Sequence, residues 1–235
     1  MRIKERGLWV ACAAAGVIVL ILSIMIMSHF PSDAGADVSG YGSPIIAFEF
    51  ARIPADLVAV FGVDGDPERM RRIAMMDQGN QSDFLFMAIY TVFGALFGMA
   101  ARRRHVLLGS VIFVAAMIAG LADMVETRTL LAITAQMAQD VAAPDGLTTL
   151  WMPVTLKFIM LAVSIVGAGL FMMSRDGMVW TALGALTVLA ALLSLPALLS
   201  TASLGYLLTA SVGLGWSIML AYALTRSFRA QKAPT

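Results

Sequence analysis

The chain has 235 residues, 60% of them hydrophobic and only 13% charged, with 16 Lys and Arg set against 15 Asp and Glu. Such a composition, with a mean hydropathy of +0.85, excludes a soluble globular domain. The formal net charge of +1 says little as a total, because the charges are segregated along the chain, and one cysteine, Cys12, cannot form an internal disulfide.

Six apolar runs are long enough to cross a bilayer: about 7–27, 84–101, 106–125, 152–173, 178–199 and 204–225. The expected fold is all-α, a single polytopic membrane domain over 1–235. The first run follows the basic stretch Met1–Arg6 and is 21 residues long, against 7–15 for the core of a secretory leader. Ser32-Asp33-Ala34-Gly35 supplies small residues without an A-x-A site, so a retained anchor is favoured over a cleaved leader. Cys12, inside this run, reads as packing, as do the seventeen methionines, which form no repeated cluster.

Residues 28–82 read as an outward-facing helical cap. After a flexible stretch rich in Asp, Gly and Ser, Ser43-Pro44 places a capping hydroxyl before a proline suited to a first helical position. The apolar run 45–52 follows, with Glu49 and Arg52 spaced i, i+3 to pair with each other. Pro54 starts a second helix that Gly62 ends. A third, solvated one runs from Asp66-Pro67-Glu68 to Gly79, and Ser82 would cap the second span. The first two are too short to cross and should lie along the interface.

Span three should continue beyond the bilayer through 127–140, until Ala142–Gly146 with Pro144 breaks it. Trp151 suits an interfacial anchor at the start of span four. Spans five and six are uncharged and carry small residues (Gly184, Ala185, Ser211, Gly213, Gly215) that permit close approach, to each other or to a membrane-protein partner. No internal repeat of a transporter kind is visible.

Lysine and arginine placement orients the bundle. Arg2, Lys4, Arg6, Arg102, Arg103, Arg104, Arg175, Arg226, Arg229 and Lys232 fall on one side, and all acids except Glu5 and Asp176 fall on the other or at its boundary. Both termini are therefore expected in the cytoplasm. The Arg102–Arg104 run reads as a topology signal with access to anionic lipid rather than as a nucleic-acid contact.

Against that frame, three charges inside apolar runs share one depth. Asp83 is separated from Arg102 by residues 84–101, Asp123 from Arg104 by 105–122, and Lys157 from Arg175 by 158–174. At 1.5 Å of rise per residue each lies roughly 26–27 Å from its arginine, close to one face of a core about 30 Å thick. Glu126 shares the face of Asp123, and Tyr90 lies two turns from Asp83. A polar cluster of Asp83, Asp123, Glu126 and Lys157 is expected, with Tyr90 donating into it and the Glu49–Arg52 helix lying over it as a lid. Three carboxylates against one ammonium leave a negative surplus that a proton or a visiting cation must neutralise.

Other patterns carry little. Val63-Asp64-Gly65-Asp66 lacks the remainder of a calcium loop, His29 and His105 fall on opposite sides of the membrane, and no hydrolase, zinc or nucleotide motif occurs. No cofactor, metal or catalytic residue is assigned.

Two sets of motifs resemble a family of bacterial multi-pass inner-membrane proteins with no assigned activity. They are Ile45-Ile46-Ala47-Phe48-Glu49-Phe50-Ala51 with Ser82-Asp83-Phe84-Leu85-Phe86-Met87-Ala88-Ile89-Tyr90, and Ala122-Asp123-Met124-Val125-Glu126 with Lys157. The likeness covers roughly 7–175, with Phe50 in place of a leucine and Thr127 in place of an asparagine. It implies a bacterial inner membrane and points to the same polar residues, without supplying a reaction. Three readings follow: an outward-facing pocket for a small polar molecule or lipid headgroup, possible as part of transport; a scaffold subunit whose charges only set helix packing; and a lipid-acting enzyme with Glu126 as general base.

Overall fold

The computed structural model describes residues 2–174 and 177–229, with side chains for 6–174 and 177–228. Arg175, Asp176 and Lys232, and the side chains of Arg2, Lys4, Glu5 and Arg229, lie outside the described residues. Among the described residues all regular structure is helical. In chain order the elements are α1 (Arg2–Met27), a 3-10 turn (Ser39–Tyr41), α2 (Pro44–Glu49), α3 (Pro54–Phe61), α4 (Arg69–Arg102), α5 (Val106–Met137), α6 (Trp151–Met173), α7 (Met178–Ser194) continued by a 3-10 turn (Leu195–Leu198), α8 (Thr201–Leu204) and α9 (Tyr206–Arg229). Six of these, α1, α4, α5, α6, α7 with its extension, and α9, are long and apolar enough to cross a membrane, as the six apolar runs predict.

The long helices close into a ring in the order α1, α4, α5, α6, α7, α9 and back to α1. Small residues let neighbouring backbones approach. A Cβ on Gly98 of α4 would lie 2.6 Å from the Phe113 nitrogen of α5, and one on Gly184 of α7 would lie 2.5 Å from the Gly169 carbonyl of α6. Gly184 is thus used inside the chain, against α6, rather than on a face left for a partner. Gly215 of α9 packs on Ile165 of α6 in the same way.

One end of the ring is filled by aromatic rings. Trp9 at the start of α1 meets Phe97 near the end of α4 at 5.3 Å and Tyr222 near the end of α9 at 5.4 Å, and Trp180 at the start of α7 meets Tyr222 at 4.9 Å. Phe171 of α6 joins them. Arg6, Arg102 and Arg226 therefore belong to a common end of the bundle. Edge-to-face packing of this kind adds about 0.5–1.5 kcal/mol per pair beyond the area buried.

At the opposite end the cap differs from the expected three helices followed by a span. Its third helix and span two are one uninterrupted helix, α4, so Gly79 does not end a helix and Ser82 does not cap one. Gly79 is needed for contact instead: a Cβ there would sit 2.3 Å from the Phe30 ring. Ser82 donates to the Gln78 carbonyl one turn earlier at 2.9 Å and lies 2.8 Å from His29 Nδ1, pinning the chain after α1 onto α4. Nor is this helix wholly solvated at its start. Arg72 is buried, bonded to Asp33 at 2.8 Å, Asp66 at 2.7 Å and the Phe61 carbonyl at 3.1 Å, while Arg71 takes Asp33 at 2.6 Å and Glu68 at 2.5 Å. Arg69 pairs with Asp64. Asp77, one helical turn or more further along α4, turns inward to accept the Thr134 hydroxyl of α5 at 2.5 Å.

Two further corrections concern helix ends. Ser43 caps α2 without a side-chain hydrogen bond, leaving Pro44 at the first helical position as the start signal. Pro196 converts the end of the fifth span into a 3-10 turn, so the α-helix stops at Ser194. The link that follows is held by the cap: Gly205 N donates to the Gly40 carbonyl at 3.1 Å.

Candidate functional site

Local sequence explains how the lid forms. In α2 every residue from Ile45 to Glu49 is buried, with Phe48 edge-to-face on Phe61 of α3 at 5.0 Å and Phe50 stacked on Phe158 of α6 at 5.9 Å. An apolar one-and-a-half-turn helix fixed on both sides brings its last residue, Glu49, down onto the charged layer. Past its end Phe50 N and Ala51 N still bond back to the Ile46 and Phe48 carbonyls, and Asp56 of α3 then captures the following donors, accepting from Arg52 N at 2.7 Å and Ile53 N at 3.1 Å. The expected Glu49–Arg52 pair is therefore not made. Arg52 lies beyond the helix, exposed and outside the cavity lining.

Lys157 of α6, 6% exposed, is the centre of the layer. Its ammonium lies 2.6 Å from Glu126 Oε1, 3.2 Å from Glu49 Oε2 and 3.3 Å from Asp123 Oδ1, and 4.9 Å from the Phe158 ring centroid. Asp123 accepts the Tyr90 hydroxyl at 2.7 Å through its other oxygen. Asp83 accepts the Thr127 hydroxyl at 3.2 Å and makes no ion pair among the described residues. The structure thus joins Glu49, Asp123, Glu126, Lys157 and Tyr90 directly, places Asp83 beside them through Thr127, and leaves out Arg52. Burial raises the Glu49 carboxyl above its ordinary range, Lys157 opposes the rise, and Asp123 adds to it.

These groups form the polar end of a cavity of about 270 Å³ at the cap end of the ring. Phe86, Tyr90 and Trp216 form an aromatic wall, with Tyr90 and Trp216 stacked at 5.1 Å and Phe86 against Trp216 at 5.9 Å. Ile26 and Met27 of α1 and Val212 of α9 complete an apolar side. Exposed Gly213 borders the cavity, and a Cβ there would meet nothing within 4 Å, so the cavity has an open flank along α9.

Some lining atoms are unsatisfied. Glu126 Oε2 is buried without a hydrogen-bond partner, and so is Nδ2 of Asn80, a residue only 2% exposed, while Glu49 Oε2 has the Lys157 ammonium alone, at 3.2 Å. Buried polar atoms are rarely left so, and each such atom calls for an explanation. Asn80 and Trp216 are not among the residues that the sequence singles out, Thr127 enters there only in place of an asparagine, and Phe86 only within a quoted motif. Thr127 lies four residues after Asp123, and Asn80 three before Asp83, so helix periodicity placed both on the charged faces. Trp216 sits in an uncharged apolar run, where nothing distinguishes a cavity wall from a lipid-facing residue.

No group of three His, Cys, Asp or Glu among the described residues is arranged to hold a metal ion. Compared with protein-family models, curated proteins and solved structures, the chain matches none. The reading of the site rests on its geometry.

Proposed function

We propose that this chain is a bacterial inner-membrane protein with both termini cytoplasmic, whose outward-facing intramembrane pocket binds a small polar molecule or lipid headgroup. The observation that carries this reading is the coincidence of a 270 Å³ cavity with two unpartnered buried polar atoms, Glu126 Oε2 and Asn80 Nδ2. A bundle built only for packing would close such a space around apolar side chains, since buried unpaired polar groups cost about 1–3 kcal/mol each. The aromatic plug of Trp9, Phe97, Phe171 and Tyr222 at the far end favours binding over passage through the ring.

The test begins with the full chain purified in mild detergent and its extractable small molecules compared by mass spectrometry with those of Gly213→Phe. This substitution directs a ring into the open flank without touching a charged residue. A species held by the parent and lost from the variant is the expected result; identical, empty extracts count against the reading. Single cysteines at Ser39 and Arg103, in a Cys12→Ala background, check orientation. An impermeant reagent applied to whole cells should label position 39 and spare 103.

A second reading, a scaffold subunit with a purely structural charge network, is favoured by one observation. Lys157 is already surrounded by three carboxylates and needs no ligand. It predicts that Gly213→Phe leaves every property unchanged.

A further inference from the structure

The chemistry of the cavity narrows its occupant. Four carboxyl groups, Glu49, Asp83, Asp123 and Glu126, line the space around one ammonium, and Glu126 Oε2 is a buried acceptor without a hydrogen-bond partner. Asp83 adds a carboxylate whose only hydrogen-bond donor among the described residues is the Thr127 hydroxyl. The adjoining wall is built from Phe86, Tyr90 and Trp216, rings whose faces attract a cation. The point where Glu49, Asp123 and Glu126 converge is already taken by the Lys157 ammonium, and the aromatic wall beside it turns the preference from a bare ion to an organic one. Independently of the acids, Asn80 Nδ2 is a buried donor lining the same space and lacking an acceptor.

We infer that the occupant is an organic cation, an ammonium carried on a compact aromatic or branched apolar body, with one hydrogen-bond acceptor near the charge. This rests on the reading that the cavity binds a small molecule. The ammonium meets Asp83 and Glu126 Oε2, the apolar body lies against Trp216 and Val212, and the acceptor takes the Asn80 amide. A volume of 270 Å³ equals about nine waters of liquid, enough for such a molecule and too small for a lipid with its chains. Two sources carry such an ammonium, a free amine and an amine-bearing headgroup reaching in through the flank at Gly213.

The experiment measures binding of three probes to the full chain in nanodiscs of phosphatidylglycerol by calorimetry: 2-phenylethylamine, 2-phenylethanol and phenylacetate. The expected order is amine first, by at least tenfold over the alcohol, with the carboxylate weakest. Asp83→Asn should reduce that preference at least tenfold, and Gly213→Phe should abolish amine binding. Asn80→Ala should erase the gain that 2-amino-1-phenylethanol shows over 2-phenylethylamine. Repeating the titration in phosphatidylethanolamine nanodiscs separates the sources: several-fold weaker amine binding assigns a headgroup, and unchanged binding assigns a free amine. If the alcohol or the carboxylate binds as well as the amine, at a site that Gly213→Phe removes, the cation assignment fails and the binding pocket stands. If no probe binds, both fail.

Discussion

Tyr90 of α4 donates its hydroxyl to Asp123 Oδ2 at 2.7 Å, while Oδ1 of the same carboxylate faces the Lys157 ammonium at 3.3 Å. One aspartate thereby connects three helices, α4, α5 and α6, and orients its two oxygens toward different partners. The aromatic wall and the charged floor of the cavity meet at this residue, because Tyr90 also stacks on Trp216.

Removing the ammonium tests how much the network holds. Lys157→Met should destabilise the chain by about 3–5 kcal/mol, the usual cost of leaving buried charges uncompensated. Adding Glu126→Gln should return part of that loss, since the two residues touch at 2.6 Å and their effects will not add. Thermal unfolding in detergent, read for both single variants and the double one, measures the coupling. Strict additivity would mean that the pair is not a unit.

Gly79→Ala sets two effects against each other. Alanine improves helix propensity by about 1 kcal/mol, but its Cβ would fall 2.3 Å from Phe30. The clash should win, so the variant melts at a lower temperature than the parent. Pairing it with Phe30→Ala removes the clash, and the double variant should melt above Phe30→Ala alone.

Acid should loosen the latch at the start of the cap. Hydrogen bonds from Arg71, then Arg72, hold the Asp33 carboxyl below its ordinary value of 3.8. Its charged form therefore stabilises the fold above that ordinary value, and the contribution is lost as pH falls through the lower folded one. Asp33 is 42% exposed, so screening limits the effect to under about 1 kcal/mol. Proteolysis after Phe30 should quicken as the pH is taken from 5 to 3, and Asp33→Asn should be insensitive over that interval.

Glu49 behaves with the opposite sign. Burial raises its carboxyl, so the proton favours the docked lid below the ordinary carboxylate range, about 4.3. That contribution is lost as pH rises through the elevated folded value. A spin label on Ile53→Cys, in a Cys12→Ala background, should be more mobile at pH 8 than at pH 5. Glu49→Gln should remove the difference.

The six long helices were legible because apolar runs of spanning length stand out in composition alone. The charged layer was legible for a related reason: Asp83, Asp123 and Lys157 are conspicuous in apolar surroundings, and helix rise converts spacing into depth. Pairing across helices was less so. Arg52 looked like the partner of Glu49 only while both were assumed to share a helix, and Asp56, from the next helix, takes the Arg52 backbone donor instead. The continuity of α4 was hidden because Gly79 resembles a stop signal, and only its contact with Phe30 shows otherwise. Trp216 and Gly213 become recognisable only when α9 is set against α1 and α4, which no local pattern encodes.

The backbone bond from Gly205 to Gly40, with those from Gly35 to Val60 and Ala36 to Ala59, ties the cap to its neighbours through atoms that every sequence possesses. Replacements at Ala36 and Ser39 should therefore be tolerated, whereas Val38 and Tyr41 pack against the core, Asp37 accepts from Ser39 N at 2.9 Å, and Gly40 and Gly42 allow close approach. A one-residue deletion there is another matter: it would drag Glu49 off the ammonium and shift the rim of the cavity together. The length of this stretch is therefore fixed more tightly than the side chains at Ala36 and Ser39.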